Sequence, residues 1–448
     1  MKNTQSSLLK SANGYNYLFP FILVTSLFAL WGFANDITNP MVAAFKNILL
    51  ITNFESSLVQ FAFYGGYCVM AIPAALFIRR FNFKTGILVG LFLYSAGCLL
   101  FIPAGNAMAF NAFLIAYFVM TCGLSFLETT ANPYILSMGD PETATRRLNF
   151  AQAFNPMGSI AGMFIAQKLI LSNLNPATEA ERIAMRDTNP DALTTIQQAD
   201  LAVVSTPYLI LGVVVFAFLI MFAFARLPKV AVDTKNKLSL KETLKILFHN
   251  KIYLWSILAQ AFYVGVQIMV WTFIIQYAEH ELGMPKSIAQ GYNIAAMAIF
   301  VSSRFICTFL LKYFNPAQLL TTLAIAGGLL TLGTIFLPNA PFVEGQYFGA
   351  YWGLYCLVAI SACMSLMFPT IYGIALKGMG DEAKLASAGL IFAIGGGCIM
   401  PPVQGKLIDI AGDWVPFLTS IRLSFVLPLI CFVVIVFYGK WVAKKSKI

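Results

Sequence analysis

Two carboxylates stand where carboxylates are costly. Asp36 lies in WGFANDITNP, directly after the uncharged run FPFILVTSLFAL, and Glu128 lies in SFLETTANPY behind a long apolar approach. An ionisable group inside a membrane segment is rare and marks an ion or substrate path by default. Desolvation works against the charged form of a carboxylate. An acid in such a cavity is therefore suited to take up a proton, cross a closed dry state as a neutral group, and release the proton on the other side. One charge moved down 100 mV is worth about 2.3 kcal/mol. That exceeds the roughly 1.4 kcal/mol of a tenfold concentration ratio. The alternatives are structural: Asp36 as a cap at the end of the apolar run, and Glu128 as a hydrogen-bond partner of Asn or Thr on a neighbouring helix.

Neutral polar groups suggest what moves with the proton. Asn35 and Asn39 flank Asp36. Asn149, Gln152 and Asn155 recur every three residues on one broad helix face. Gln260, Tyr263, Gln267 and Trp271 follow at i, i+3, i+7 and i+11, again a single stripe. Carboxamides both donate and accept hydrogen bonds, as hydroxyl groups do. An aromatic face suits the C–H side of a sugar ring. Amides with Trp or Tyr, without a cationic cluster, favour a neutral polyhydroxylated solute over a phosphate or carboxylate. The alternative is glue between helices, since Asn and Gln also bridge membrane segments. Arg304 stands eight residues before Lys312, about 12 Å along a helix, and is better suited to a gating or structural role. Pro133 and Pro369 can kink helices that must rock.

The elements that position these groups follow from composition. Hydrophobic residues fill 59% of the 448 positions and charged residues 11%, whereas a soluble chain is about half apolar and about a quarter charged. This is an all-α polytopic membrane protein, because each spanning segment must satisfy its own backbone hydrogen bonds. Twelve apolar segments run near 18–45, 54–78, 84–104, 109–137, 146–171, 203–226, 250–278, 287–312, 317–337, 346–376, 385–410 and 417–440. Of the 29 Lys and Arg residues, 21 fall in the N-terminus, the even-numbered loops and the C-terminus. The positive-inside rule then puts both termini in the cytoplasm and the polar stretch 172–202 outside. The polar N-terminus is no signal peptide. The net charge of +10 reflects cytoplasmic loops, not a nucleic-acid partner.

The basic loop 227–249 separates a bundle at 1–226 from a bundle at 250–448. The halves echo each other. RRFNFK ends span two and KYFNPA ends span eight; SFLETTANPYILSMGD and SLMFPTIYGIALKGMGD leave spans four and ten. A duplicated six-helix unit with a site between its copies is the pattern of a secondary transporter. Gly158 and Gly162 form a small-xxx-small contact in span five, and Gly65–Gly66 and Gly395–Gly397 permit close approach in spans two and eleven. The eight cysteines lie in apolar runs and read as small hydrophobes. His249 and His280 lack metal-ligand spacing, so no metal site is expected.

The stretches SLFALWGFAN, SLVQFAFYGGY, IPAALFIRRFNFKTGILVGLFLY, LETTANPYIL, RRLNFAQAFNPMG and LAQAFYVGVQ give the chain a resemblance to the fucose–proton symporter family of the major facilitator superfamily. Related glucose/galactose and N-acetylglucosamine permeases belong to the same group. The resemblance covers nearly the whole chain. It implies two pseudo-symmetric six-helix bundles rocking about a central sugar site, with acids in spans one and four carrying the proton. Glu128 falls on the span-four acid, and Gln152 and Asn155 on the polar positions of span five. Span one departs from the pattern. Where the family reads ANNLNDILLP, an ungapped alignment puts Asn39 at the acid and Asp36 on a family Asn, one helical turn earlier. Phe368 replaces an aromatic that is Tyr in the fucose symporters.

The expected function is a proton-coupled symporter importing a neutral monosaccharide, L-fucose first, with glucose/galactose or N-acetylglucosamine as alternatives. It is no enzyme and needs no cofactor beyond the coupling proton. It works as a monomer in the lipid bilayer of the bacterial inner membrane. A proton-driven drug exporter would suit the fold, but predicts an aromatic, Met-lined cavity with few amides. An enzyme of lipid-linked sugars would need acids or a metal at a membrane surface and a donor-binding loop.

Overall fold

The computed structural model describes residues 17–138, 147, 150–227, 247–310, 313–345, 348–376, 383–412 and 417–445. Asn149, the Gly-Asp ends of the MGD repeats after spans four and ten, and residues 228–246 of the linker lie outside them. Among the described residues, ten helices are long and apolar enough to cross a membrane. Two more helical segments fill the fifth and eighth places: Phe154–Ile165, continued by a π-helical turn over Ala166–Leu171, and Lys286–Leu310.

Connecting turns carry the residues that start helices. Span two (Asn53–Arg80) opens on a capping box, in which Thr52 Oγ1 accepts from Glu55 N while Thr52 N donates to Glu55 Oε2. Asn82, Asn250 and Asn315 cap spans three (Phe83–Leu99, extended by Phe101–Asn106), seven (Lys251–Leu282) and nine (Pro316–Phe336) with their side-chain oxygens.

The packing repeats with a period of six spans. Spans one and five, two and four, three and four, and three and six pair in the first half. Spans seven and eleven, eight and ten, nine and ten, and nine and twelve pair in the second. The halves meet along spans two with eleven and five with eight. Glycine makes the equivalent crossings possible. A methyl group at Gly158 would stand 1.9 Å from the Ala29 carbonyl oxygen of span one, and one at Gly396 of span eleven would stand 1.9 Å from that of Ala261 in span seven.

Helix breaks fall at particular residues. Span one pauses between Leu18–Thr38 and Met41–Leu49, because Pro40 has no amide hydrogen to return to the Asp36 carbonyl. Span ten breaks at Ser365–Leu366, between Trp352–Met364 and Met367–Leu376. Pro369 therefore sits in the first turn after the break. Pro133 lies within the continuous helix Phe110–Ser137 of span four.

One boundary differs from the sequence expectation. Span six begins at Pro190, not near 203, and runs to Phe224 over 35 residues. That is about 53 Å, against roughly 30 Å of hydrocarbon. Its first turns are polar but favour a helix: Asn189 caps them and Pro190 takes the first position. The stretch before it is a second helix, Glu179–Thr188, with a Thr178/Glu181 capping box. A buried ion pair, Arg182 to Asp200 at 2.6 Å, ties the two together. We call this end of the molecule the loop end and the other, where the chain begins and finishes, the terminal end.

Hydrogen bonds between the halves cluster at the loop end. Asn47 Nδ2 donates to Glu279 Oε1 at 3.3 Å, and Gln167 Nε2 donates to the Ser287 carbonyl at 2.7 Å. Asp409 of span eleven accepts from Asn53 N, Asn53 Nδ2 and Phe54 N at 2.7 to 3.0 Å. That carboxylate thus caps the N-terminus of span two from the opposite half, where the helix dipole favours negative charge.

Candidate proton and substrate site

Asp36 is an interior residue, 5% exposed, and does not cap a surface end. Its Oδ1 accepts from Asn39 Nδ2 at 3.0 Å. The two residues that compete for the role of span-one acid are therefore bonded to each other, as their one-turn spacing allows. Asn39 Oδ1 in turn accepts from Gln60 Nε2 of span two at 3.0 Å, and the same nitrogen donates to Thr272 Oγ1 of span seven at 3.0 Å. Ser159 of span five faces the Asp36 carboxylate. The Gly158 and Gly162 contacts with span one bring it there.

Glu128 has different surroundings. It is half-buried on span four, and among the described residues its carboxylate has no hydrogen-bond or ion-pair partner. Polar side chains stand around it. Asn132 Nδ2 donates to the Glu128 backbone carbonyl at 3.0 Å, and Asn132 Oδ1 accepts from Gln152 Nε2 at 3.2 Å. Tyr67 of span two donates to Asn35 Oδ1 at 3.4 Å, and Glu128 lies near the same phenol. Asn155 Nδ2 donates to the Phe28 carbonyl at 3.4 Å. Spans one, two, four and five thus supply one polar neighbourhood containing Asn35, Glu128 and Gln152.

The span-seven stripe divides. Gln260 and Tyr263 are fully buried, and neither the Gln260 amide atoms nor the Tyr263 hydroxyl has a partner among the described residues. The Tyr263 ring packs edge-on against Phe368 with centroids 6.1 Å apart. Leaving a buried polar group unpaired costs about 1–3 kcal/mol, so these atoms call for a partner such as a water or a ligand hydroxyl. Gln267 is half-buried. Trp271 is held within its own half, where Nε1 donates to Ser361 Oγ at 3.2 Å and the ring lies edge-on to Phe300.

The Major Facilitator Superfamily model matches residues 24–397. The chain belongs to the major facilitator superfamily. It is 52% identical over 425 residues to the L-fucose-proton symporter of Haemophilus influenzae, covering 94% of this chain and 96% of that one. It is 31% identical over 427 residues to the glucose/galactose transporter of Brucella abortus, covering 95% and 94%. The crystal structure of the E. coli fucose:proton symporter FucP superposes with a TM-score of 0.67 at 32% identity, over 95% of this chain and 98% of that one.

In this facilitator Arg304 is pinned to a helix break. Pro369 cannot donate to the Ser365 carbonyl four residues before it. Arg304 Nε of span eight donates to that carbonyl instead, at 3.2 Å, with its guanidinium 4.7 Å from the Phe300 ring. The guanidinium thus fills the place that the missing proline amide leaves at this carbonyl.

Gln60, Tyr64, Tyr67 and Thr272 were not among the expected site residues of the facilitator. A signal existed for the first three. In SLVQFAFYGGY they recur at i, i+4 and i+7, which is one helix face; the glycine pair beside them had suggested only packing. Thr272 stands next to Trp271 and carries no sequence signal of its own.

Proposed function

We propose that this facilitator is a proton-coupled symporter that imports a neutral monosaccharide, with L-fucose as the first candidate. The observation that carries the reading is the unpartnered, half-buried Glu128 carboxylate, set among amides and a phenol. An acid with no fixed counter-charge can take and give up a proton as its access changes. The 52% identity to a fucose–proton symporter supports the choice of sugar. Glucose or galactose is the second reading, supported by the relative of that name at 31% identity.

In this account Glu128 and Asp36 carry the coupling. Asn35, Asn39, Gln152, Asn155, Gln260, Tyr263 and Gln267 offer hydrogen bonds to the sugar, and Trp271 and Phe368 shape its apolar side. The loop end faces out and the termini face the cytoplasm of a bacterial inner membrane, in keeping with the basic loops. The six-helix bundles 1–226 and 250–448 rock about the site as a monomer, joined by the linker 227–249. The contacts at the loop end then correspond to a stage closed to the outside. The carrier opens outward, takes a proton and the sugar, closes the loop end, releases both at the terminal end, and returns.

Uptake of labelled L-fucose into proteoliposomes, with and without an inward proton gradient, tests the reading. Accumulation only with the gradient is expected. Equal uptake in both would remove the symport claim, and competition by a panel of unlabelled sugars ranks the substrates.

A further inference from the structure

The hydrogen-bonded chain from Asp36 to Thr272 crosses from one half of the molecule to the other. We propose that Gln60 and Thr272 are positioning residues that tie the charge state of Asp36 to closure of the loop end. The proposal rests on the symport reading above, with Asp36 as a proton carrier.

All four members are buried: Asp36 5% exposed, Asn39 2%, Gln60 1% and Thr272 0%. The chain has a direction. A carboxamide nitrogen carries two hydrogens. Gln60 gives one to Asn39 Oδ1 in its own half and the other to Thr272 Oγ1 in the opposite half, each at 3.0 Å. With its carbonyl oxygen taken up by Gln60, Asn39 presents Nδ2 to the Asp36 carboxylate. A hydrogen bond to a charged acceptor is about twice as strong as one between neutral groups, so this arrangement favours the ionised acid. Gln60 Oε1 has no partner among the described residues. Its amide is therefore held by its two donated bonds alone, and one of them exists only while spans two and seven are together. Span five presents Ser159 and span two presents Tyr64 to the same carboxylate, and both belong to the half that carries Asp36.

Closing the loop end thus fixes the donor that favours loss of the Asp36 proton. Opening it frees Gln60 to turn and weakens that donor. Linked equilibria are reciprocal, so proton loss favours closure by the same factor that closure favours proton loss. A symporter needs this sign: the proton binds while the loop end is open and leaves once it is shut.

The test is the pH dependence of L-fucose binding to the purified full-length protein. Thr272→Val removes the hydroxyl at nearly constant volume, and Thr272→Ser restores it. Thr272→Val moves the binding midpoint to higher pH by about half a unit, roughly a threefold change in proton affinity. Thr272→Ser keeps the wild-type midpoint, and the Thr272→Val shift is absent in an Asp36→Asn background. A Thr272→Val midpoint equal to wild type, or the same shift with and without Asp36, overturns the proposal. Wild-type protein with no proton-driven uptake overturns instead the symport reading beneath it.

Discussion

The two acids proposed to carry the coupling, Asp36 and Glu128, have opposite surroundings. Asp36 sits in the packed contact of spans one, two and five, accepts from Asn39, and reaches the second half through Gln60. Glu128 is half-buried beside Asn132 and Gln152 and has no partner of its own among the described residues. The same functional group is thus placed once within a hydrogen-bonded chain between the halves and once without a partner among the described residues. The contrast shows how two carboxylates can share the work of coupling. In the proposed cycle the free acid exchanges, and the bonded acid reports whether the loop end is shut.

The sharpest way to break this division is Glu128→Gln, which keeps the shape and removes the titratable group. Proton-driven accumulation of L-fucose falls by about a hundredfold or more, the scale of losing a positioned proton carrier. Exchange of labelled for unlabelled sugar, which needs no net proton movement, persists. Accumulation and exchange lost together would mean that Glu128 binds sugar without coupling it.

Asp36→Asn comes next. Asparagine keeps the hydrogen bonding of span one but not the charge. Accumulation drops by roughly tenfold, the effect of one charge-assisted bond. If it stays at the wild-type level while Glu128→Gln abolishes it, Asp36 is structural and the division fails. Gly158→Ala probes the packing that separates the two sites. Its methyl group would meet the Ala29 carbonyl at 1.9 Å, so spans one and five must part. Thermal unfolding in detergent should show a loss of about 1–3 kcal/mol, the usual cost of overpacking.

The smallest effect is expected at Trp271. Its indole N–H is engaged by Ser361 within the second half. Trp271→Phe gives up about 1 kcal/mol of stability and changes the KM for L-fucose less than about threefold, or under about 0.7 kcal/mol. A larger rise in KM would show that the indole N–H itself leaves Ser361 and binds the sugar during the cycle.

Much of the fold was legible in the sequence because a membrane leaves helices few options. Twelve apolar runs and the repeated RRFNFK and MGD signals anticipated the six-span period of the packing. The start of span six was not legible. Its first turns are polar, and they are held by the Arg182–Asp200 pair, which joins residues from two helices. The Asp36–Asn39 bond was legible from a spacing of one turn. The continuation to Thr272 was not, because it depends on how spans two and seven meet across 212 residues of chain. The role of Pro369 likewise needed Arg304 from another span to be seen beside the carbonyl that the proline leaves unpaired.

The most direct test of the account is a simultaneous record of proton and sugar movement in proteoliposomes without a pre-formed gradient. On addition of external L-fucose, wild-type protein should make the outside medium more alkaline as sugar enters, and Glu128→Gln should abolish the proton signal. Entry of L-fucose into wild-type vesicles with no change in external pH would contradict it.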